Sequence, residues 1–155
     1  MEKVDNFNNM KINILSKPEN IAVIRVAIST LVANLKINLD ELMDIKTAVS
    51  EAVTNVVEHA YNLEDGMIDV IVNINTLNEE STIEIIIKDY GIGIENIEQA
   101  MVATYTSKPE LEHAGLGFTI METFMDELYI DSTVDNGTTV KMIKKLRKTI
   151  KSSEI

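Results

Sequence analysis

Two β-rich runs, IDVIVNIN at residues 68–75 and TIEIIIKD at 82–89, constrain this chain more than any other feature. The polar stretch LNEES joins them, so they read as a hairpin with one face to be covered. The second run stops on Asp89 and continues as DYGIG, with Gly91 and Gly93 separated by one residue. An aspartate in that place sits at a sheet edge or on the floor of a pocket. The glycines then let the backbone come close to something flat. The same five residues also make a plain turn, and alone they do not decide between the two readings.

The segments around the hairpin supply the rest of a fold. KINILS (11–16) alternates apolar and polar residues, as a short strand does. After Pro18 and Asn20, IAVIRVAISTLVANL carries apolar residues at helical spacing. A second helix is predicted to start near Asp40, as its N-cap, and to run through ELMDIKTAVSEAVTNVVEHAY. Asn62 to Gly66 is a turn, and IENIEQAMVA is a short helix. TYTSKPELEHAG is polar, lacks periodicity and ends in glycine, which marks a long loop, functional or disordered. GFTIMETFMDEL returns to helical spacing, and LYIDSTV and TTVKMIKKL are strands around Asp135-Asn136-Gly137. With no repeat and no linker, the 155 residues read as one domain. The expected architecture is a two-layer α/β (α+β) sandwich, with helices on one side of an open, mostly antiparallel mixed sheet. A chain of this length buries about two-thirds of its unfolded surface, so it needs no metal or disulfide staple.

Composition removes several classes of function. There is no cysteine, which excludes disulfides and thiolate zinc sites. No apolar run approaches the ~20 residues that span a bilayer. The opening MEKVDNFNNM lacks the basic and then apolar pattern of a signal peptide, so the expected compartment is the cytoplasm, without a membrane partner. Acidic side chains number 25 against 14 basic ones, a formal net charge of −11. Such a surface disfavours nucleic-acid phosphates and steers basic protein partners towards it. Lys141, Lys144, Lys145, Arg147, Lys148 and Lys151 run against this trend. They read as a solvated end, with a nucleic-acid arm as the alternative.

Three further places offer chemistry. Glu51, Asn55 and His59 are four residues apart and share one helix face. They interleave with apolar Val49, Ala52, Val53, Val56 and Val57, so they face either solvent or a polar cavity. The wet side of an ordinary helix accounts for them. So does a carboxylate and an amide one turn apart holding a hydrated Mg²⁺, which takes few protein ligands. Next, Gly115-Leu116-Gly117 opens a helix after a loop with Thr104, Thr106, Ser107 and Lys108. A glycine-rich helix start presents free N–H groups and the positive dipole end to a phosphate, although it is equally a flexible helix start. Last, Asn136-Gly137 before Thr138 requires no more than a hairpin turn.

Taken in order, these four features resemble the nucleotide-binding boxes of the GHKL (Bergerat) ATP-binding superfamily, which includes gyrase and histidine kinases. EAVTNVVEHAY, TSKPELEHAGLGFTIMETFMDEL and NGTTV are more specifically similar to the anti-sigma factor serine kinases, above all those of sporulation, over nearly the whole chain. The resemblance implies that Asp89 accepts a hydrogen bond from the adenine amino group. Gly91 and Gly93 would lie against the base, and Thr138 would support it through Asp89. Asn55 would ligate Mg²⁺ bridging the phosphates of ATP, and Gly115 and Gly117 would donate N–H groups to them. Residues 104–114 would form the ATP lid, with Thr106, Ser107, Lys108 and His113 on the nucleotide. Glu51 would be the general base for a serine hydroxyl of a substrate protein. That division suits phosphoryl transfer, which needs positioning and charge neutralisation more than covalent chemistry. Arg25 falls where relatives carry an exposed arginine that contacts protein partners. Its own surroundings in the sequence fit a solvated arginine as well.

Two positions depart from the pattern. His113 stands where an arginine is usual, and histidine is charged only in part near neutral pH. That bears on the catalytic rate more than on ATP binding. Ala60 replaces the glycine of His-Gly-Tyr, the smallest possible change. The function so implied is that of an anti-sigma factor and protein serine kinase. It would bind a sporulation sigma factor, phosphorylate an anti-anti-sigma protein and form a homodimer. A non-catalytic nucleotide-gated binding module and a histidine-kinase ATP-binding domain are the alternatives. The latter is weakened by the presence of only two histidines and by the lack of a phospho-accepting helical hairpin ahead of the domain. The apolar face Ile21, Ile24, Ile28 and Leu31 of the first helix serves a dimer or a core equally well.

Overall fold

The computed structural model describes residues 6–62, 64–102 and 116–146. Strands β1 (Asn6–Leu15), β2 (Met67–Leu77), β3 (Glu80–Asp89), β4 (Glu127–Thr133) and β5 (Gly137–Leu146) form one sheet in the order β1-β2-β3-β5-β4. Every neighbouring pair is antiparallel, so the sheet is antiparallel throughout rather than mixed. The helices are α1 (Glu19–Val32), α2 (Leu39–Asn55), α3 (Ile97–Ala100) and α4 (Gly117–Phe124). The chain leaves β3, crosses through α3 and α4 to the edge strand β4, and returns as β5 into the gap between β3 and β4.

The hairpin obeys period-two alternation. Ile68, Val70, Val72 and Ile74 of β2 and Ile83, Ile85 and Ile87 of β3 are buried on one face. They pack with Ile24, Ile28 and Val32 of α1, Ile45, Val49 and Val53 of α2, and Met121 of α4. The Ile24/Ile28 face of the first helix is therefore core, with Ile21 and Leu31 packed at its margin. The turn is tighter than LNEES suggests. Leu77 pairs with Glu80, and Asn78 and Glu79 both take positive φ (56° and 67°), as a two-residue hairpin turn of the twist-matched kind requires.

Several boundaries differ from the sequence reading, and for three of them the physical reason is visible. Asn38, not Asp40, caps α2: its side chain accepts from Glu41 N–H at 2.7 Å, while Glu41 accepts from Asn38 N–H at 3.1 Å. Strand β1 begins at Asn6 because its asparagines pair sideways, Asn9 with Asn73 at 2.6 Å and Asn13 with Asp69 at 2.5 Å. Helix α4 ends at Phe124 because Lys144 Nζ donates to the Phe124 carbonyl at 2.6 Å and pairs with Asp44 of α2 at 3.2 Å. Of the C-terminal cations, Lys141 lies 4.9 Å over the Tyr129 ring and Lys145 pairs with Glu127 at 3.3 Å. These lysines have partners within the fold. Arg147, Lys148 and Lys151 lie outside the described residues.

Candidate nucleotide site

The inward row of β3 does not end with its isoleucines. Ile83, Ile85 and Ile87 are followed in the same register by Asp89, which is 4% exposed. Each fully buried isoleucine stabilises the fold by about 1.5–3 kcal/mol, enough to carry one buried carboxyl at the end of the row. Tyr90 turns to the opposite face, where its hydroxyl donates to Asp69 and Lys88 lies 5.1 Å over its ring. That hydroxyl is the first cause of an Asp69 carboxyl held below the ordinary carboxylate range.

Asp89 Oδ1 accepts two backbone N–H bonds, from Gly91 at 3.0 Å and from Thr138 at 3.2 Å. No protein donor among the described residues engages its second oxygen. Burial pushes the Asp89 pKa up, and the two N–H groups oppose the shift. A folded-state pKa above the unfolded value means that the folded chain binds the extra proton, so stability falls as pH rises through that window. Asp89→Asn keeps an oxygen for both N–H groups and removes the buried charge. We expect its melting temperature at pH 7 to exceed that of the unaltered protein, and the gap to close as pH falls below about 4, where the unfolded carboxyl is also protonated. A gap that does not change with pH between 3 and 7 would refute this account.

The loop that follows Asp89 is clamped from both sides. On one side α2 runs on, without a break, into a π-helical turn, Val56–Ala60, a distortion frequent at functional sites. The Ala60 carbonyl accepts Ile92 N–H at 2.9 Å, and Tyr61 Oη accepts Tyr90 N–H at 2.8 Å while donating to the Met67 carbonyl at 2.6 Å. A Cβ on Gly91 would lie 2.0 Å from the Ala60 oxygen, so only glycine fits there. On the other side stands the β4–β5 turn. Asp135 N–H donates to the Ile92 carbonyl at 2.8 Å, and Ser132 Oγ accepts Ile94 N–H at 2.7 Å. Gly93 (φ +74°) and Gly137 (φ +92°) sit in the left-handed region, and a Cβ on either would meet backbone oxygen, of Thr133 and Asp89 respectively. The DYGIG stretch is thus a fixed frame around one free carboxyl oxygen. It is more than a plain turn.

The second part of the site lies where α2 meets α4. Glu51 is buried (9% exposed) and Asn55 half-buried, one turn apart on α2. Gly117, the first residue of α4, faces Asn55: a Cβ there would come within 3.1 Å of both Asn55 Oδ1 and Nδ2. The missing side chain lets the first turn of α4 lie against the Asn55 amide, with the Glu51 carboxylate one turn back along α2. Hard oxygen donors of this kind suit Mg²⁺, which takes only one or two from protein. Among the described residues no cluster of three or more acidic, histidine or cysteine side chains could hold a metal unaided. His59 is half-buried, with Nε2 3.9 Å from Glu58. Arg25 is half-buried on α1, and its Nη1 makes a long 3.4 Å contact with Ser50 Oγ of α2. Thr106, Ser107, Lys108, His113 and Gly115, with the rest of the predicted lid, lie outside the described residues. Tyr61 and Ser132 also belong to the frame, and no sequence motif marks either.

A buried carboxyl at the end of a strand, a rigid glycine frame and a helix start against Asn55 make a surface suited to a nucleotide. The model of the histidine kinase-like ATPase domain family matches residues 14–144. An anti-sigma F factor of Clostridium beijerinckii is 53% identical over 139 residues, covering 89% of this chain and 94% of its own. One of Clostridium novyi is 50% identical over 141 residues, 90% of this chain and 96% of its own. The chain belongs to the anti-sigma F factor family, within the histidine kinase-like ATPase domains. Among solved structures, the RsbU and RsbW domains of a Mycobacterium tuberculosis protein align with a TM-score of 0.59 and 18% identity. The match covers 92% of this chain but 33% of the other, so the chain spans about a third of that protein, and the likeness is one of fold. The ATPase description supports ATP as the nucleotide. No helix among the described residues is long and apolar enough to cross a membrane.

Proposed function

We propose that this chain is a cytoplasmic anti-sigma factor that binds a sporulation sigma factor. It is also a serine kinase that uses magnesium and ATP to phosphorylate an anti-anti-sigma protein. The observation that carries the reading is Asp89, buried, tied through one oxygen and free at the other, at the bottom of a glycine frame. The free oxygen is an acceptor for the adenine amino group. Asn55 and the N-terminus of α4 face one another where the phosphates and Mg²⁺ would lie, with Gly117 giving them room. Bound ATP supplies the phosphoryl group. Glu51, one turn from Asn55, would accept the proton of the serine hydroxyl. Its burial keeps bulk water from competing for that role. Thr138 holds Asp89 in place through its N–H. Lys108, Thr106, Ser107, His113 and Gly115 would close over the nucleotide, as the family pattern has them. Arg25 would contact a protein partner.

The test combines calorimetry with labelled ATP. Magnesium-dependent ATP binding is expected, with label transferred to a serine of an anti-anti-sigma protein. Asn55→Ala should lose the magnesium dependence, and Asp89→Asn should weaken ATP binding by about 1–3 kcal/mol, because an amide N–H would then face an amine. Binding that is intact and magnesium-dependent, without transfer, would leave a nucleotide-gated binding module. Unchanged binding in both variants would overturn the site.

A further inference from the structure

Ser132 of β4 lies at the junction of the frame and β5, and the sequence motifs do not mark it. Its hydroxyl has three partners: Ile94 N–H at 2.7 Å, the Gly137 carbonyl at 3.1 Å and Thr138 Oγ1 at 2.8 Å. A serine hydroxyl has one proton and two acceptor sites. The Gly137 carbonyl can only accept and the Ile94 amide can only donate, so the arrangement that satisfies every partner spends the Ser132 proton on Gly137. Thr138 must then donate its own proton to Ser132. Thr138 Oγ1 is left with acceptor capacity only, and its backbone N–H is already committed to Asp89 Oδ1. The floor of the site, Asp89 and Thr138 together, therefore presents acceptors and no free donor.

We propose that Ser132 is a positioning residue that sets base specificity: by taking the Thr138 proton it makes the floor acceptor-only, which selects a 6-amino purine over a 6-oxo purine. The inference rests on the reading of Asp89 as the contact to the base. Without Ser132, the Thr138 hydroxyl is free to rotate and to donate to a 6-oxo group, and Ile94 N–H loses the bond that holds the frame to β4. Buried polar groups left with a like partner are what make such sites discriminate.

The experiment measures the dissociation constants of ATP and inosine triphosphate, which share a triphosphate and differ at position 6 of the base. Melting temperatures are recorded alongside. The unaltered protein should prefer ATP. Ser132→Ala should weaken ATP binding about fivefold while narrowing the preference roughly tenfold, since the 6-oxo nucleotide gains a donor. Ser132→Thr, which keeps the hydroxyl, should restore the preference. Thr138→Val retains the backbone N–H to Asp89 and removes the oriented hydroxyl, so it too should narrow the preference, whatever the stability of Ser132→Ala. A loss of affinity equal for both nucleotides, or an unchanged preference in Thr138→Val, would overturn the proposal. Asp89→Asn separates the two levels. If it leaves the preference intact, the adenine reading itself is wrong. If it abolishes the preference while Thr138→Val does not, only the role of Ser132 and Thr138 fails.

Discussion

Glu51→Gln is expected to slow phosphorylation of the anti-anti-sigma protein at least a hundredfold while leaving ATP affinity within a few-fold of its original value. The side chain is buried on α2, one turn from Asn55. Glutamine keeps the shape and the hydrogen-bonding capacity but cannot take a serine proton. General base catalysis contributes about 10²–10⁴-fold and acts on the transition state, so ground-state binding of ATP and of the sigma factor should persist. Single-turnover phosphorylation at saturating ATP reads the chemical step alone. A rate near that of the unaltered protein would remove Glu51 from the mechanism and favour a nucleotide-gated module.

Gly91→Ala should be strongly damaging for the addition of a single methyl. The added Cβ would stand 2.0 Å from the Ala60 oxygen and 2.6 Å from its carbon, both backbone atoms. Neither can rotate away, so the loop must leave the π-helical turn and give up the Ile92–Ala60 hydrogen bond. Strain and a broken buried hydrogen bond together place the cost at about 2–4 kcal/mol. At about 2–4 °C per kcal/mol for a chain of this size, the melting temperature should drop by roughly 5–15 °C. ATP binding should disappear with the frame. The obstacle is the carbonyl and not the Ala60 methyl, so Ala60→Gly should fail to rescue the variant. Rescue would mean that the loop packs otherwise than described here.

The parts of this site that the sequence reveals are those that follow a short period. Alternation along β3 puts Asp89 on the buried face with Ile83, Ile85 and Ile87, and a spacing of four brings Glu51 and Asn55 together. Asn38 is legible too, since Asn-x-x-Glu is a capping signature, although Asp40 two residues on is a competing cap residue. The remainder is set by distant partners. Tyr61 acts on Tyr90, 29 residues away, and Ser132 on Ile94, 38 residues away. Neither carries a local pattern that separates it from an ordinary tyrosine or serine. The early start of β1 likewise depends on Asn73 and Asp69 in another strand, and asparagine is otherwise a poor strand former. The end of α4 at Phe124 is fixed by a lysine on β5 that no helical period reports.

The late insertion of β5 between β3 and β4 has a kinetic consequence. Before residues 137–146 arrive, β3 has an open edge, and Asp89 lacks its Thr138 donor. A chain emerging from the ribosome can form the β2–β3 hairpin early, yet it exposes an isoleucine-rich margin until almost the last strand is made. Closing that margin and completing the floor of the candidate nucleotide site are one event. Ribosome-stalled chains ending near residue 135 should therefore retain no ATP and recruit chaperones. Chains long enough to release β5 should bind nucleotide as soon as they resist protease.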